Sequence, residues 1–322
     1  MLRLKKNLGI IVVILILAGV GYFKLKGIKK PEVFKKGPIH PYAIESLNSH
    51  VFPGKITIEK KFFDSPFSSY LISFTSENIK EFGLMNVPSG SSPETGWPVV
   101  VLNHGFVAPK YYLTTESYKN TAAYFASKGF LVLKADYRGH DKSAGTMDSL
   151  YSRNQYAVDV LNMMAAINSI PEADVNKIFV WGHSMGGDIS LMVAENNNKI
   201  KAMSLWAPAV TIYPQNMVFF TKRHGDGLDK PEAQKGLKKL IETYGAESFS
   251  SFSNVGKIKI PVMMQQSIND ESVPYEWSQQ LIEKFRQTGK EVTFYSYKND
   301  NHDIAKHWYE ALDKDVEFFR KK

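Results

Sequence analysis

Ser184 lies in the pattern Gly-x-Ser-x-Gly, between Gly182 and Gly186. An apolar run at 178–181 comes directly before the pattern, and a helix-like run at 189–194 follows it. In this strand–turn–helix setting the pattern predicts a nucleophile elbow, a tight turn that raises the serine hydroxyl above the end of a strand. Glycines are expected at the flanks because side chains there would collide with the strand and the helix. A chance match in a glycine-rich turn is the alternative, and the flanking elements argue against it.

A serine hydroxyl becomes a strong nucleophile when a base takes its proton. We predict that this base is His302, which follows the last predicted strand in a loop that runs over the strand ends. Asp270 follows the strand predicted at 262–266 and is expected to orient the imidazole and stabilise its protonated form. Glu271 and Asp300 are the alternatives for this acid, and a surface-loop histidine is the alternative interpretation of His302.

Two backbone N–H groups are expected to face the negative oxygen that develops during attack on a carbonyl. Met185, the residue after the predicted nucleophile, should supply one of them. The loop that follows the strand predicted at 99–102 should supply the other, and Phe106 is the best candidate. Gly105 lies in the same loop. His104 precedes it and is predicted to brace the loop by hydrogen bonds to the backbone rather than to act as the base.

These residues are positioned by alternating strand and helix signals that begin near residue 98. Continuous apolar runs, such as 99–102 and 130–133, predict strands that are covered on both faces. Repeated units of this kind predict an α/β fold with a mostly parallel, doubly wound sheet and helices on both faces. Strand-like segments between residues 55 and 87 predict antiparallel strands that precede the parallel part.

The alternation is interrupted between residues 209 and 256, where no strand is predicted. An aromatic run at 213–220 and an amphipathic segment at 232–244 occupy this stretch. We interpret it as a small cap insertion over the carboxyl ends of the strands, where ligands bind in open α/β sheets. An ordinary long crossover connection is the alternative.

The N-terminal segment accounts for the net charge of the chain, +8. Residues 1–36 hold nine basic residues and one acidic residue, so the remainder is neutral. A neutral body offers no basic stripe for nucleic acid, and no nucleic-acid partner is expected. Residues 8–23 are sixteen residues without a charge, rich in Ile, Val and Leu. This run predicts a membrane-spanning helix whose flanking lysines reach the interface.

We therefore expect a membrane anchor or signal segment at 1–30, a tether at 31–54 and the catalytic domain at 55–322. An uncleaved signal anchor is favoured over a cleaved signal peptide, because lysines follow the apolar run closely. The distribution of basic residues around the run favours a cytoplasmic body, whereas short basic N-termini commonly stay inside and let the following domain cross. The expected location of the body is extracytoplasmic.

No metal or cofactor is expected from the sequence. The chain has no cysteine, its histidines lack the paired spacing of a zinc-binding helix, and its carboxylates show no calcium-loop pattern. No glycine-rich phosphate-binding loop follows a predicted strand. The expected chemistry therefore uses side chains and backbone groups.

Several of these motifs belong to a wider set of segments. The set is Leu-Asn-His-Gly at 102–105, Asp-Tyr-Arg-Gly-His at 136–140, Trp-Gly-His-Ser-Met-Gly-Gly at 181–187, Asp-Glu-Ser-Val-Pro at 270–274 and Asn-His at 301–302. Together they resemble the prolyl oligopeptidase family of serine hydrolases, within the α/β-hydrolase superfamily. The resemblance covers about residues 98–310 and implies an α/β-hydrolase fold. It also implies that Ser184 is the nucleophile, Asp270 the acid and His302 the base.

Two departures from the family bear on the substrate. Large members place a β-propeller before the catalytic domain, whereas only about 70 residues separate the predicted anchor from the first core strand here. Asn301 and Asp303 flank His302, where the family commonly has glycine. The resemblance implies cleavage of peptide, amide or ester bonds. A carboxylesterase or acyl hydrolase of small or lipid-like esters is one alternative, and a non-catalytic binding relative at the membrane is another.

Overall fold

Strands β1 to β9 form one sheet in the structure, a computed structural model that describes residues 38–148, 150–224, 228 and 230–322. The strands are β1 (Thr57–Phe63), β2 (Phe67–Ser76), β3 (Ile79–Pro88), β4 (Trp97–Asn103), β5 (Leu131–Ala135), β6 (Ala173–His183), β7 (Ile200–Trp206), β8 (Val262–Ser267) and β9 (Val292–Tyr297). Their order across the sheet is β1-β2-β3-β5-β4-β6-β7-β8-β9. Neighbours from β1 to β5 in this order pair antiparallel, and those from β5 to β9 pair parallel.

Helices cover both faces of this sheet. In the described part of the chain they are α1 (Lys119–Ser127), α2 (Ser152–Ala165), α3 (Met185–Asn196), α4 (Gln215–His224), α5 (Pro231–Tyr244), α6 (Ser251–Asn254), α7 (Tyr275–Gln287) and α8 (Trp308–Arg320). Apolar residues of α1 and α8, such as Phe125 and Phe319, pack in one core cluster. Those of α2, α3 and α7, such as Ile189 and Leu281, pack in another cluster. The predicted α/β-hydrolase fold, with a mostly parallel sheet between two layers of helices, is confirmed.

The strands that lead into the site are the best-buried part of the sheet. Val99, Val100, Val101 and Leu102 of β4 each have 0% exposure, and all six residues of β8 are buried. Removing a large apolar side chain from water contributes about 1.5–3 kcal/mol. By contrast, every residue of β1, at the edge of the sheet, is exposed. The loops that follow β4, β6 and β8 therefore start from rigid strands.

The segment between β7 and β8 forms helices and, among its described residues, no strand. Tyr213, Leu240 and Phe249 build a small apolar cluster there, separate from the clusters on the two sheet faces. In α5, Leu240 is the buried residue and the remainder is exposed or half-buried. The interpretation of residues 209–256 as a cap stays a prediction.

The N-terminal segment divides into two parts. The predicted anchor at 8–23 lies outside the described residues, and within the described residues no helix is long and apolar enough to span a membrane. The structure differs from the predicted tether, because residues 39–54 belong to the same compact unit as the sheet. Ile44 and Leu47, in a short 3-10 helix, are buried in the core with α2 and α3. These apolar side chains explain why the segment packs against the domain.

Asp315 in α8 connects three strands of the sheet through one buried carboxylate. Its Oδ2 accepts hydrogen bonds from the indole N–H groups of Trp181 and Trp206, both at 2.9 Å. Its Oδ1 accepts from the hydroxyl of Ser204 at 2.6 Å and from the side-chain amide of Gln265 at 2.8 Å. Burial raises the pKa of Asp315 to about 7, although these four donors act to lower it. The carboxylate thus fixes α8 across β6, β7 and β8.

Replacing Asp315 with Asn is expected to destabilise the fold by about 2–4 kcal/mol. The amide has the size of the carboxylate, but its N–H groups would face donors that need an acceptor. Urea unfolding followed by tryptophan fluorescence measures the change. Asp313→Asn, on the exposed side of the same helix, is the matched control and should lower the free energy of unfolding much less. Equal losses for the two variants would contradict the role given to Asp315.

Candidate active site

Ser184 lies between β6, which ends at His183, and α3, which begins at Met185. Its backbone has φ 55° and ψ −119°, a conformation that costs a residue other than glycine about 1–3 kcal/mol. The N–H of Ser184 donates to the carbonyl of Trp206 at 2.9 Å, and its carbonyl accepts from the N–H of Ala209 at 2.9 Å. The strained turn is therefore held by the end of β7 and by the segment that follows it.

Gly182 and Gly186 stand where side chains would not fit. A Cβ on Gly186 would lie against the backbone carbonyl of Asn103, and a Cβ on Gly182 would lie against the hydroxyl of Ser190. Both approaches are far inside van der Waals contact. The absence of side chains lets the serine turn touch the backbone at the end of β4, where the loop with His104 begins.

His302 and Asp270 form a hydrogen-bonded pair. The Nδ1 of His302 lies 2.9 Å from Oδ1 and 2.8 Å from Oδ2 of Asp270. The carboxylate also accepts from the backbone N–H groups of Ser272 and Val273 and from the amide of Gln266, at 2.8, 2.9 and 3.0 Å. Burial acts to raise the pKa of Asp270, but these bonds and the charge of His302 lower it below its usual value. A neutral imidazole has one donor and one acceptor nitrogen, so a ring that donates from Nδ1 accepts at Nε2.

The two alternative acids contact the same loop without orienting the ring of His302. Glu271 accepts a hydrogen bond from the backbone N–H of His302 at 3.1 Å. Asp300 accepts from Nδ1 of His307 at 2.7 Å. Of the three carboxylates considered from the sequence, Asp270 is the one that pairs with this imidazole. Among the described residues, no group of three or more His, Asp or Glu side chains could hold a metal ion.

Ser184 and His302 line the same cavity, which has a volume of about 420 Å³. Met185, Gly105 and Phe106 line it as well, so the structure brings together the residues predicted to act as nucleophile, base and oxyanion donors. The hydroxyl of Ser184 forms no hydrogen bond with His302, both of which the structure describes. Such bonds often tighten only when substrate is bound. Much of the remaining wall is apolar and includes Ala108, Pro109, Met147, Tyr156, Met217 and Leu228.

His104 braces the loop after β4. Its ring is fully buried and stacks on Tyr112 and Tyr137, with centroid distances of 4.5 and 4.2 Å. Its ring nitrogens lie 2.8 Å from the carbonyl of Gly105 and 3.3 Å from that of Asp136. Burial and the nearby charge of buried cations lower the pKa of His104 well below its usual range. A neutral ring that is enclosed in this way holds the backbone of the loop in place. It has no access to the proton of the Ser184 hydroxyl.

A chain of hydrogen bonds joins three loops of the site. The backbone of Gly105 bonds to the hydroxyl of Tyr118, which donates to Nδ1 of His183 at 2.6 Å. The Nε2 of His183 lies 3.2 Å from the carbonyl oxygen of His302. With Nδ1 accepting, Nε2 carries the proton and donates to that carbonyl. Tyr118 and His183 therefore hold the loop of His302 against the loop of Gly105.

A buried lysine supports the same region and was missed by sequence reasoning. The Nζ of Lys134 donates to the hydroxyl of Tyr112 at 2.8 Å and to the carbonyls of Thr114 and Ser117 at 2.9 and 2.7 Å. Burial lowers the pKa of Lys134 to about 8 and raises the pKa of Asp136 to about 6. The available signal was Lys134 inside the apolar run of β5 and Asp136 just beyond its end, because charges are buried only when paired.

The amino-acid sequence matches the model of the prolyl oligopeptidase family over residues 116–322. Among curated proteins it is similar to an uncharacterized peptidase, YtmA, of Bacillus subtilis (strain 168). The two are 24% identical over 254 residues, which cover 76% of this chain and 91% of YtmA. Two other curated relatives are matched over less than half of their own length.

Solved structures show the same fold. An acetyl xylan esterase from Paenibacillus sp. R4 superposes with a TM-score of 0.64 at 17% identity, covering 85% of this chain and 91% of that one. A puromycin-hydrolyzing peptidase of Mycobacterium tuberculosis superposes with a TM-score of 0.62 at 17% identity, covering 79% of this chain and 44% of that one. At these identities the likeness concerns the fold.

Replacing His183 with Gln is expected to flatten the dependence of stability on pH in acid. Burial lowers the pKa of His183 to about 3, from about 6.5 in an unfolded chain. The unfolded chain therefore binds a proton that the folded protein does not. This one group therefore contributes a fall of about 1.4 kcal/mol per pH unit in the free energy of unfolding as pH drops from about 6.5 towards 3.

This slope should be reduced in the His183→Gln variant, because glutamine does not titrate. Urea unfolding at several pH values between about 4 and 7 measures the slope. The comparison uses slopes, so a constant loss of stability in the variant does not affect it. Equal slopes for the two proteins would contradict a buried, neutral His183.

Proposed function

Because the chain belongs to the prolyl oligopeptidase family of serine hydrolases, we propose that it cleaves ester and amide bonds of small acyl substrates through an acyl-enzyme on Ser184. The observation that carries this proposal is the pairing of His302 with Asp270 at 2.8 Å, beside the cavity that the strained serine also lines. A hydroxyl in a strained turn and an oriented imidazole are what acyl transfer requires.

In the proposed reaction, Oγ of Ser184 bonds to the substrate carbonyl carbon while Nε2 of His302 takes the hydroxyl proton. The bond to the leaving alcohol or amine then breaks, and that group takes the proton from His302. Water next bonds to the acyl carbon and gives a proton to His302, which returns it to Ser184 as the acid leaves. Asp270 stabilises the imidazolium throughout, and the lowered pKa of this carboxyl keeps it ionised.

The backbone N–H groups of Met185 and Phe106 are the proposed donors to the oxyanion. Both residues line the cavity beside Ser184. Met185 is the first residue of α3, and the N–H groups of a first helical turn have no partner within the helix and lie at its positive end. Phe106 follows the segment that His104 braces. A donor of this kind contributes about 2.7–4 kcal/mol of transition-state stabilisation.

The leaving group divides the proposal into two activities. Amide cleavage requires proton delivery to a poor leaving amine, and the match to YtmA, named a peptidase, over 91% of its length supports it. Ester cleavage depends less on proton delivery to the leaving group, and the superposition on an acetyl xylan esterase over 91% of that chain supports this activity. A cavity of about 420 Å³ suits small acyl groups in either case.

A fluorophosphonate probe is expected to label the wild-type protein on Ser184, because such probes react with an activated serine hydroxyl. The Ser184→Ala variant should not be labelled, and its kcat on a nitrophenyl ester should fall by on the order of 10⁶-fold. Ser127→Ala, which removes an exposed hydroxyl on α1, is the matched control and should keep wild-type labelling. Comparing aminoacyl arylamides with acyl esters then ranks the two activities.

An unlabelled, folded wild-type protein would overturn the proposed reaction and favour a binding role for the cavity. Loss of labelling in the Ser127→Ala control would show that the assay reports folding rather than the nucleophile.

We further propose that residues 8–23 anchor the protein in a membrane, with the catalytic domain on the extracytoplasmic side. The support for the anchor is the sixteen-residue run without a charge. The support for the orientation is the short basic N-terminus, since such segments commonly stay inside and let the following domain cross. Full-length protein should sediment with membranes and resist extraction by carbonate, and protease added to intact spheroplasts should cleave the domain.

Changing Ile11 and Ile14 to Lys should release the protein into the soluble fraction, because charges near the bilayer centre oppose insertion. The matched changes of Ile11 and Ile14 to Leu should leave it in the membrane. Wild-type protein found in the soluble fraction would overturn the anchor, and protection from external protease would reverse the proposed orientation.

A further inference from the structure

An open groove of about 660 Å³ lies beside the active-site cavity. Asp303, the residue after His302, lines both the groove and the cavity. Residues of α1 and of the start of α8 form most of the groove wall, among them Tyr124, Trp308 and Tyr309. The groove and the active site therefore meet at one carboxylate.

The position of His302 shows which part of a substrate would reach this groove. In the proposed reaction His302 gives its proton to the leaving group, so the leaving group must lie on the His302 side of the scissile bond. Asp303 is the next residue of the same loop and borders the groove. A leaving group that extends beyond His302 therefore meets Asp303 and then the groove.

The backbone around Asp303 is held in place by a buried neighbour. Ile304 has φ 51°, a left-handed conformation that is rare for a β-branched residue. Its side chain is fully buried, in the same core cluster as Phe125 and Phe319. Its N–H donates to the carbonyl of Asn301 at 3.1 Å. Core packing thus maintains a strained turn, and this turn presents the carboxylate of Asp303 between the two cavities.

The negative charge of Asp303 is not compensated by a neighbouring cation. Among the described residues, no lysine or arginine forms an ion pair with this side chain, which is 70% exposed. Nε2 of His183 lies 3.7 Å from Oδ1 of Asp303, but burial lowers the pKa of His183 to about 3, so that ring is neutral near pH 7. Asp303 is also the one charged residue in the described lining of the groove. The groove therefore carries a net negative charge.

Three aromatic rings contact one another edge to face along the groove. The ring centroids of Trp308 and Tyr309 are 4.9 Å apart at an interplanar angle of 82°, and those of Tyr124 and Trp308 are 5.6 Å apart at 73°. Nζ of Lys128 lies over the ring of Tyr124, 4.9 Å from its centroid. In the described part of the chain no lysine or arginine lies over Trp308 or Tyr309, and Tyr309 is 69% exposed. These two rings are therefore accessible to a ligand.

Charge and aromatic faces together favour a cation in the groove. The face of an aromatic ring attracts a cation that lies within about 6 Å of its centroid, and tryptophan does so most strongly. The carboxylate of Asp303 attracts the same cation and repels an anion. A neutral sugar also stacks on aromatic rings, but it gains nothing from an uncompensated charge.

We propose that this groove binds the leaving group of the substrate and selects esters and amides whose leaving group carries a positive charge, such as an ammonium group. Asp303 and the rings of Trp308 and Tyr309 are the groups that contact the cation. The inference rests on the proposed acyl-transfer function and adds the class of leaving group. The bond changes are those of the proposed reaction, and the leaving oxygen or nitrogen takes its proton from His302.

Two acetate esters of equal shape test this selection. In choline acetate the leaving alcohol ends in a trimethylammonium group, and in 3,3-dimethylbutyl acetate a carbon atom replaces that nitrogen. The preference is the ratio of the two kcat/KM values, each divided by the rate constant for hydrolysis of that ester by hydroxide. The wild type should prefer the choline ester. This preference should decline as ionic strength rises, because salt screens exposed charges.

Asp303→Asn and Tyr309→Leu should each lower the ratio by about 2- to 5-fold, the range for an exposed ion pair and an exposed cation–π contact. The ratio is measured within one preparation, so it does not depend on how much of a variant folds. Glu317→Gln is the matched control, because Glu317 lies on α8 outside the groove and its side chain is 70% exposed, like that of Asp303. This control removes the same charge and should leave the ratio unchanged.

Turnover of both esters with a ratio that neither variant changes would overturn this inference and leave the proposed function standing. An equal loss in Glu317→Gln would show a general effect of surface charge and count against the groove as well. Faster hydrolysis of a 6-O-acetyl glucoside, lost in Tyr309→Leu, would replace the cation with a sugar. If the wild type hydrolysed nitrophenyl acetate but neither test ester, the inference alone would fail. If it hydrolysed none of these esters, the proposed function would fail too.

Discussion

The backbone of Ser184 is the constraint on which the site depends. A φ of 55° in a residue other than glycine persists only where the surroundings fix it. Here the carbonyl of Trp206 holds its N–H and the N–H of Ala209 holds its carbonyl. Gly186 lies against the carbonyl of Asn103, so the end of β4 determines the position of the turn as well. Three strands and the segment after β7 thus maintain one strained residue.

The fold could be predicted from the sequence because its central strands are uninterrupted apolar runs. In β4 the four residues 99–102 have 0% exposure, and runs of this kind are typical of strands covered on both faces. The tether predicted at 31–54 lacks periodicity, but its part at 39–54 packs with the sheet. Its most deeply buried large side chains are Ile44 and Leu47, and so few apolar residues in a short irregular stretch give no periodic signal.

The order of the site residues could also be predicted, but their contacts could not. Asp270 and Asp300 both follow strands, and of the two Asp300 lies nearer to His302 in the sequence. Backbone N–H groups at Ser272 and Val273 turn the Asp270 carboxylate towards His302, whereas Asp300 bonds to His307. That difference is created by turn geometry. Tyr118 was missed for the same reason, since only the folded loops bring its hydroxyl to His183.

Arg153 and Asp188 form an ion pair beside the serine turn. Asp188 is the acidic residue in the first turn of α3, the helix whose positive end lies at the proposed oxyanion donor Met185. An unpaired carboxylate there would weaken the positive potential that favours a negative oxygen. Arg153 neutralises the carboxylate of Asp188 at 2.6 Å. This ion pair therefore preserves the positive potential at the start of α3, and a change at either residue would alter it.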